Sequence, residues 1–182
     1  MMRRLASSVG FLRRFGRDRS GVSAVEFALI APVLILIYFA LAEFCQAYMA
    51  QRRMGHATAQ VADIVAQYQT VDTTLIDDTF AIGGLVLSPF SAAPLKLRVT
   101  AITRDSNGVA RVTWSRGKGM TVRSGVVTVP AGLIGNGESI IMSEGTYDFT
   151  STLGQVLPGM RTFSHTYWLR PRLVNTITCN NC

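Results

Sequence analysis

Uncharged, mostly apolar residues run without interruption from Phe27 to Ala42, and after Glu43 the run resumes from Phe44 to Ala50. A membrane-crossing helix needs about 20 predominantly apolar residues. Phe27 to about Tyr48 therefore predicts one span with a single acid near its outer end. Pro32 lies inside the run, where membrane helices tolerate proline and kink at it. Past Ala50 the pattern stays helical and becomes amphipathic. Val61, Ile64, Val65 and Tyr68 recur at three- and four-residue spacing, with Gln60, Asp63 and Gln67 between them. One helix from about Val22 to Tyr68 is expected, about 70 Å long at 1.5 Å per residue. Its inner half suits lipid and its outer half suits packing on a sheet. A short second helix should follow, with Thr74 as N-cap, Asp77 in its first turn, and Gly83-Gly84 or Pro89 as its stop.

From Leu95 the period changes to two. Leu95, Leu97, Val99 and Ala101 share a face, with Lys96, Arg98 and Thr100 opposite. Asp105-Ser106-Asn107-Gly108 is a turn signal, and Val112 and Trp114 continue a returning strand, which makes a hairpin. Gly117 to Gly137 is rich in glycine and turns, with a β-like Val126-Val127-Thr128-Val129 closed by Pro130. Ser139 to Phe149 is a further strand, placing Ile141, Tyr147 and Phe149 on one face, and Thr162 to Leu169 is a fourth. Sequential strands with short links predict an antiparallel sheet, and the long helix is the natural cover for its apolar face. The fold class is α+β. Three segments follow: a leader over 1–21, a transmembrane and amphipathic helix over 22–70, and an α+β domain over 71–182.

Charge sharpens this division. The net charge of +7 invites a nucleic-acid reading, but six arginines against Asp18 put +5 of it in the first 21 residues. The remainder carries only +2, so the domain has no electrostatic footprint for phosphate backbones. A basic segment just before an apolar run is a cytoplasmic retention signal. It sets the leader inside and the domain outside. Of three cysteines, Cys45 sits in the apolar run and Cys179 and Cys182 form a C-x-x-C at the C-terminus. Outside the cytoplasm that pair tends to oxidise, and the plain reading is a small disulfide tying the tail. A zinc site would need a second pair of ligands. A thioredoxin-type site would need the first cysteine to open a helix.

The residues that bear on function are Gly21-Val22-Ser23-Ala24-Val25-Glu26-Phe27, at the junction of basic leader and apolar run. A glycine there suits cleavage at the cytoplasmic face, and a cut after Gly21 would place a new ammonium on Val22, one helical turn from Glu26. An acid facing lipid costs a few kcal/mol on insertion scales. Among parallel helices, the Glu26 carboxylate of one subunit can meet that ammonium on a neighbour, which lowers the cost of burying both and sets register.

A glycine followed after four residues by Glu and an aromatic resembles the processing site of type IV pilins, and the Glu-Phe form resembles the Flp subgroup. The longer string from Gly21 through Phe27-Ala28-Leu29-Ile30-Ala31-Pro32 is similar to the TadE-like proteins of the tight-adherence (Tad) pilus system. Weaker likeness extends through Val112-Thr113-Trp114-Ser115, Val129-Pro130, Glu144, Tyr147-Asp148-Phe149 and Arg170-Pro171-Arg172. The resemblance implies a pilin-like fold and cleavage by a prepilin peptidase between Gly21 and Val22, with Glu26 and Phe27 as the assembly and processing motif. It implies a minor pilin or pseudopilin of the bacterial inner membrane. The leader would be cytoplasmic and the domain periplasmic, with entry into an extracellular pilus as a further step. Its partners would be the membrane, other pilin subunits, the assembly machinery and the peptidase. No cofactor, nucleic acid or small-molecule substrate is implied.

Two other readings stay open. Ala40-Leu41-Ala42 fits the A-x-A rule of an ordinary secretory signal, although Glu26 and Pro32 fall in or beside its apolar core and the run continues past Ala42. An uncleaved signal anchor also satisfies the charge pattern. Catalysis has little support. There is no G-x-S-x-G, H-E-x-x-H or phosphate-binding loop. Asp77-Asp78 reads as an exposed helix start, and His56 and His165 read as ordinary surface or packed side chains. No catalytic or metal-ligating residue is expected.

Overall fold

The computed structural model describes residues 20–151 and 160–182, so nearly all of the basic leader lies outside the described residues. Helix α1 (Ser20–Ala66) is one continuous element with Pro32 inside it, and α2 (Thr73–Val86) follows. Four long strands, β2 (Leu95–Arg104), β3 (Ala110–Lys118), β4 (Ser139–Thr150) and β5 (Met160–Leu169), form an antiparallel sheet in the order β3-β2-β4-β5. Two short strands, β1 (Thr70–Val71) and β6 (Thr178–Cys179), pair in parallel and bring the tail back beside the end of α1. The architecture is a long apolar helix followed by an antiparallel-sheet domain, an α+β fold.

The periodicity of α1 splits it in two. From Gly21 to Ala42 its side chains are exposed or half-buried, and its apolar stretch, of mean hydropathy 2.4, is left uncovered by the other described residues. From Glu43 onward one face turns inward. Ala50, Met54, Ala57, Val61 and Val65 are fully or almost fully buried against the sheet, at the three- and four-residue spacing that lines one side of a helix. They meet Leu95, Leu97, Val99, Ala101, Ile141, Tyr147 and Phe149 from β2 and β4, the alternating positions that face α1. Each large side chain buried there contributes roughly 1.5–3 kcal/mol. Small residues let the layers close. A side chain at Gly145 of β4 would overlap the Thr58 hydroxyl of α1, so glycine there makes room for the helix side chain.

Three expectations are corrected. The N-cap of α2 is Asp72, not Thr74: its Oδ1 accepts from the Leu75 backbone N–H at 2.8 Å. Of the two expected stops, Gly83-Gly84 does not end α2, which runs on to Val86 with Leu87 as its C-cap, shortly before Pro89. A Cβ at Gly83 would lie 3.1 Å from Val61 and 3.2 Å from Leu97, so this glycine serves close packing of α2 on α1 and the sheet. Val126–Val129 forms no strand. Val126 makes an isolated bridge to Arg111 at the outer edge of β3, and the residues beyond it fold over the second sheet face. There Val129 and Ile134 cover Ile102, Ile140 and Met142 in a smaller core. Arg98 and Thr100, expected opposite the core face, are buried as a result.

Candidate functional site

Gly21, Val22, Glu26 and Phe27 all lie on the first two turns of α1. All four are exposed, Val22 by 56% and Phe27 by 70%. Gly21, Val22, Val25 and Glu26 line one shallow surface depression. Positions four apart on a helix are neighbours, so the Val22 backbone and the Glu26 side chain share a face. An added side chain at Gly21 would meet nothing within 4 Å, so the fold itself does not require glycine there. An acid and a line of large apolar groups thus point outward together from an uncovered helix end. In water this surface is unfavourable, and contiguous exposed apolar surface of this kind marks a membrane or protein contact.

At the other end of the apolar stretch, Glu43 is fully buried. Intramembrane acids characteristically face the protein interior, and here the domain supplies that interior. Phe44 and Tyr48 stack with ring centroids 6.5 Å apart, and the Arg52 guanidinium lies over the Tyr48 ring at 5.5 Å. An aromatic pair followed by a cation is the pattern of a membrane–water interface.

Residues 21–63 match the family model of TadE-like proteins. No curated protein and no solved structure matches the chain. The TadE-like segment begins at the predicted cleavage glycine and ends within the packed half of α1, so it covers the anchor and the helix face that carries the domain. The match spans under half of the chain, and it likens the N-terminal helix to that family. Among the described residues α1 is the one helix long and apolar enough to cross a membrane, which fits a single-pass anchor.

Sequence reasoning missed the most ordered polar cluster. Glu144 of β4 lies between two arginines on the second sheet face. Arg98 Nε donates to its Oε2 at 2.7 Å, and Arg123 Nη2 to its Oε1 at 2.6 Å. Arg98 Nη1 also donates to the Thr121 carbonyl at 2.7 Å, pinning the covering segment. Burial alone would raise the Glu144 pKa, but the hydrogen bonds from Arg123 and Arg98 outweigh it and hold the carboxyl below its ordinary range. The sequence could have flagged this only through Arg98 and Glu144 sitting mid-strand. Asp77 is likewise no idle helix start. Arg116 of β3 donates to both its oxygens, at 3.1 and 2.6 Å, tying α2 to the sheet edge. The arginine's hydrogen bond is also the main cause of the lowered Asp77 pKa.

Cys179 and Cys182 are joined to each other, with Cα atoms 5.8 Å apart, while Cys45 is free and exposed on α1. The tail has other ties. Trp114 Nε1 donates to the Ile177 carbonyl at 2.8 Å, the Asn180 N–H donates to Val71 O at 3.1 Å, and the Thr73 N–H donates to Asn181 Oδ1 at 2.9 Å. A loop this short removes little unfolded-state entropy. Replacing both cysteines with serine should therefore cost under about 2 kcal/mol and leave accumulation in cells near normal, as immunoblotting and thermal unfolding will measure. A double variant that fails to accumulate would show that the bridge matters more than the tail's hydrogen bonds.

Proposed function

We propose that the chain is a minor, pilin-like subunit of a tight-adherence (Flp-type) pilus, matured by a prepilin peptidase that cuts after Gly21. The observation that carries the reading is an exposed Glu26, one turn past a glycine, heading an uncovered apolar helix whose sequence is TadE-like. Cleavage frees an ammonium on Val22. Withdrawn from lipid, α1 has a ready partner in the parallel helices of other subunits, whose apolar flanks replace the acyl chains. The arginine-rich leader keeps the N-terminus cytoplasmic before the cut, which sets the sheet domain on the periplasmic side of the inner membrane. In that oxidising compartment a Cys179–Cys182 bridge is chemically sustained.

Processing is tested by the intact mass of protein purified from membranes of the native host. A chain beginning at Val22 is the expected result. A chain beginning at Glu43 would mean an ordinary signal peptide, and an uncut chain a plain anchor. Gly21→Arg should abolish maturation, because a peptidase pocket shaped for glycine has no room for the side chain, while the fold is indifferent to it. Accumulation of the full-length precursor, read on the same mass spectrum, is the expected outcome. Normal maturation of the arginine variant would overturn the assignment.

A further inference from the structure

The two histidines of the chain, far apart in sequence, open onto the same groove. The groove, of about 550 Å³, lies between the outward side of α1 and the edge strand β5. Tyr48, Arg52 and His56 line it from the helix, and His165 and Tyr167 line it from the strand. Space is left by Gly55 and Ala59; an added side-chain carbon at Gly55 would meet nothing within 4 Å. No carboxylate lines it. Among the described residues Arg52 makes no ion pair, its Nε donating at 3.1 Å to the Tyr48 hydroxyl. Most other arginines of the domain are engaged by an acid, as at Glu144, Asp77 and Asp63. The groove therefore collects an uncompensated guanidinium, two imidazoles and two phenols, all capable of donating to an anion.

Its depth selects the anion. This step rests on the reading of α1 as a membrane span. With Phe27 at one edge of the hydrocarbon, Tyr48 reaches the other edge after about 30 Å at 1.5 Å per residue. Arg52 then stands about 6 Å further out, within a headgroup layer of roughly 5–8 Å. Helix side chains lean toward the N-terminus, which here is toward the lipid. We propose that this groove binds the phosphate of an anionic phospholipid headgroup in the leaflet nearest the domain. Arg52 supplies the charge-assisted contact, and His56, His165 and the phenols close around the remaining oxygens. A lipid so held would fix the height and rotation of the domain against the membrane before assembly.

The test uses the full chain in phosphate-free buffer, with carbon-labelled histidine and arginine, reconstituted in phosphatidylcholine vesicles with and without phosphatidylglycerol. Carbon–phosphorus dipolar dephasing reports which side chains lie within contact of a lipid phosphate. The expected result is dephasing of both histidine signals with phosphatidylglycerol, weak in phosphatidylcholine alone and lost in Arg52→Gln. Gly55→Leu, which fills the groove without changing charge, should lose it as well. Protein that floats with the vesicles yet shows no dephasing overturns the site and leaves the membrane reading standing. Dephasing undiminished in both variants means diffuse lipid contact and also overturns it. In lipid-free detergent, free glycerol phosphate should give no dephasing. A signal there would assign the groove to a soluble phosphate and overturn the lipid source.

Discussion

Glu26→Leu should yield a protein that enters the membrane and is cut after Gly21, yet supports no pilus above the level of a deletion strain. The physical case starts from cost. A carboxylate facing lipid is unfavourable, by about 2.5–3.5 kcal/mol at a helix centre on insertion scales and by less toward the edge, so leucine makes insertion easier. Glu26 stays exposed on the first turns of α1, with no described partner in its own chain. If the carboxylate only burdened an anchor, its removal would be harmless. If it meets the Val22 ammonium of a neighbour, removal strands a charged N-terminus inside a bundle of apolar helices. Breaking one side of a buried pair costs about 3–5 kcal/mol, enough to exclude a subunit from the assembly. Glu26→Gln keeps the shape and loses the charge, and it should share the defect. The measurement is piliation in cells whose variant is shown by mass to be inserted and cleaved. Wild-type piliation with Glu26→Leu would remove the pairing mechanism and leave fold and topology untouched.

Glu144→Ala should destabilise the domain by about 3 kcal/mol or more, since it leaves Arg98 buried and short of its acid. The Arg98 and Glu144 side chains are only 10% and 12% exposed, so little water replaces the lost contact. Asp77→Ala breaks a pair of similar geometry whose acid is 53% exposed, and it should cost no more than about 1 kcal/mol. The comparison isolates burial from contact distance. pH gives a second signature. Because the folded-state pKa of Glu144 lies below the ordinary 4.5, its contribution is fully present above that value and is lost as pH falls through the depressed one. The gap in thermal stability between wild type and Glu144→Ala should therefore be constant near neutrality and narrow in acid. Equal losses for Glu144→Ala and Asp77→Ala would mean that the buried network holds nothing the surface pair does not.

Both predictions bear on what could be read from the residues in order. The apolar run and the three-four spacing after it are local signals, and they placed α1 to within two residues of its observed ends. The alternation from Leu95 and the Asn107-Gly108 turn placed the hairpin for the same reason. What failed was non-local. Arg98 alternates with apolar neighbours as a solvent-facing residue should, and it is buried only because the segment from Thr121 to Ile134 returns over it. That segment has no period to announce itself. Gly83-Gly84 reads as a helix stop until the close approach of Val61 and Leu97 gives Gly83 another reason to be glycine. The α2 cap moved to Asp72 because the chain enters that helix from β1, whose partner β6 lies at the far end of the sequence. The motif from Gly21 to Phe27 was legible because it is contiguous. The groove shared by His56 and His165 was not, because only the packing of β5 beside α1 joins them.

The seamless passage of α1 from its uncovered apolar half into the sheet domain has a mechanical consequence. A linker at the membrane surface would let the domain swivel and would absorb an axial pull. Here none exists: the residues buried from Glu43 onward stand on the same helix as the exposed apolar turns. Lifting the rod by one residue of rise raises the whole sheet by about 1.5 Å, and turning it by one residue swings the domain by about 100°. Axial displacement of the helix is thus passed to the domain with no linker between them.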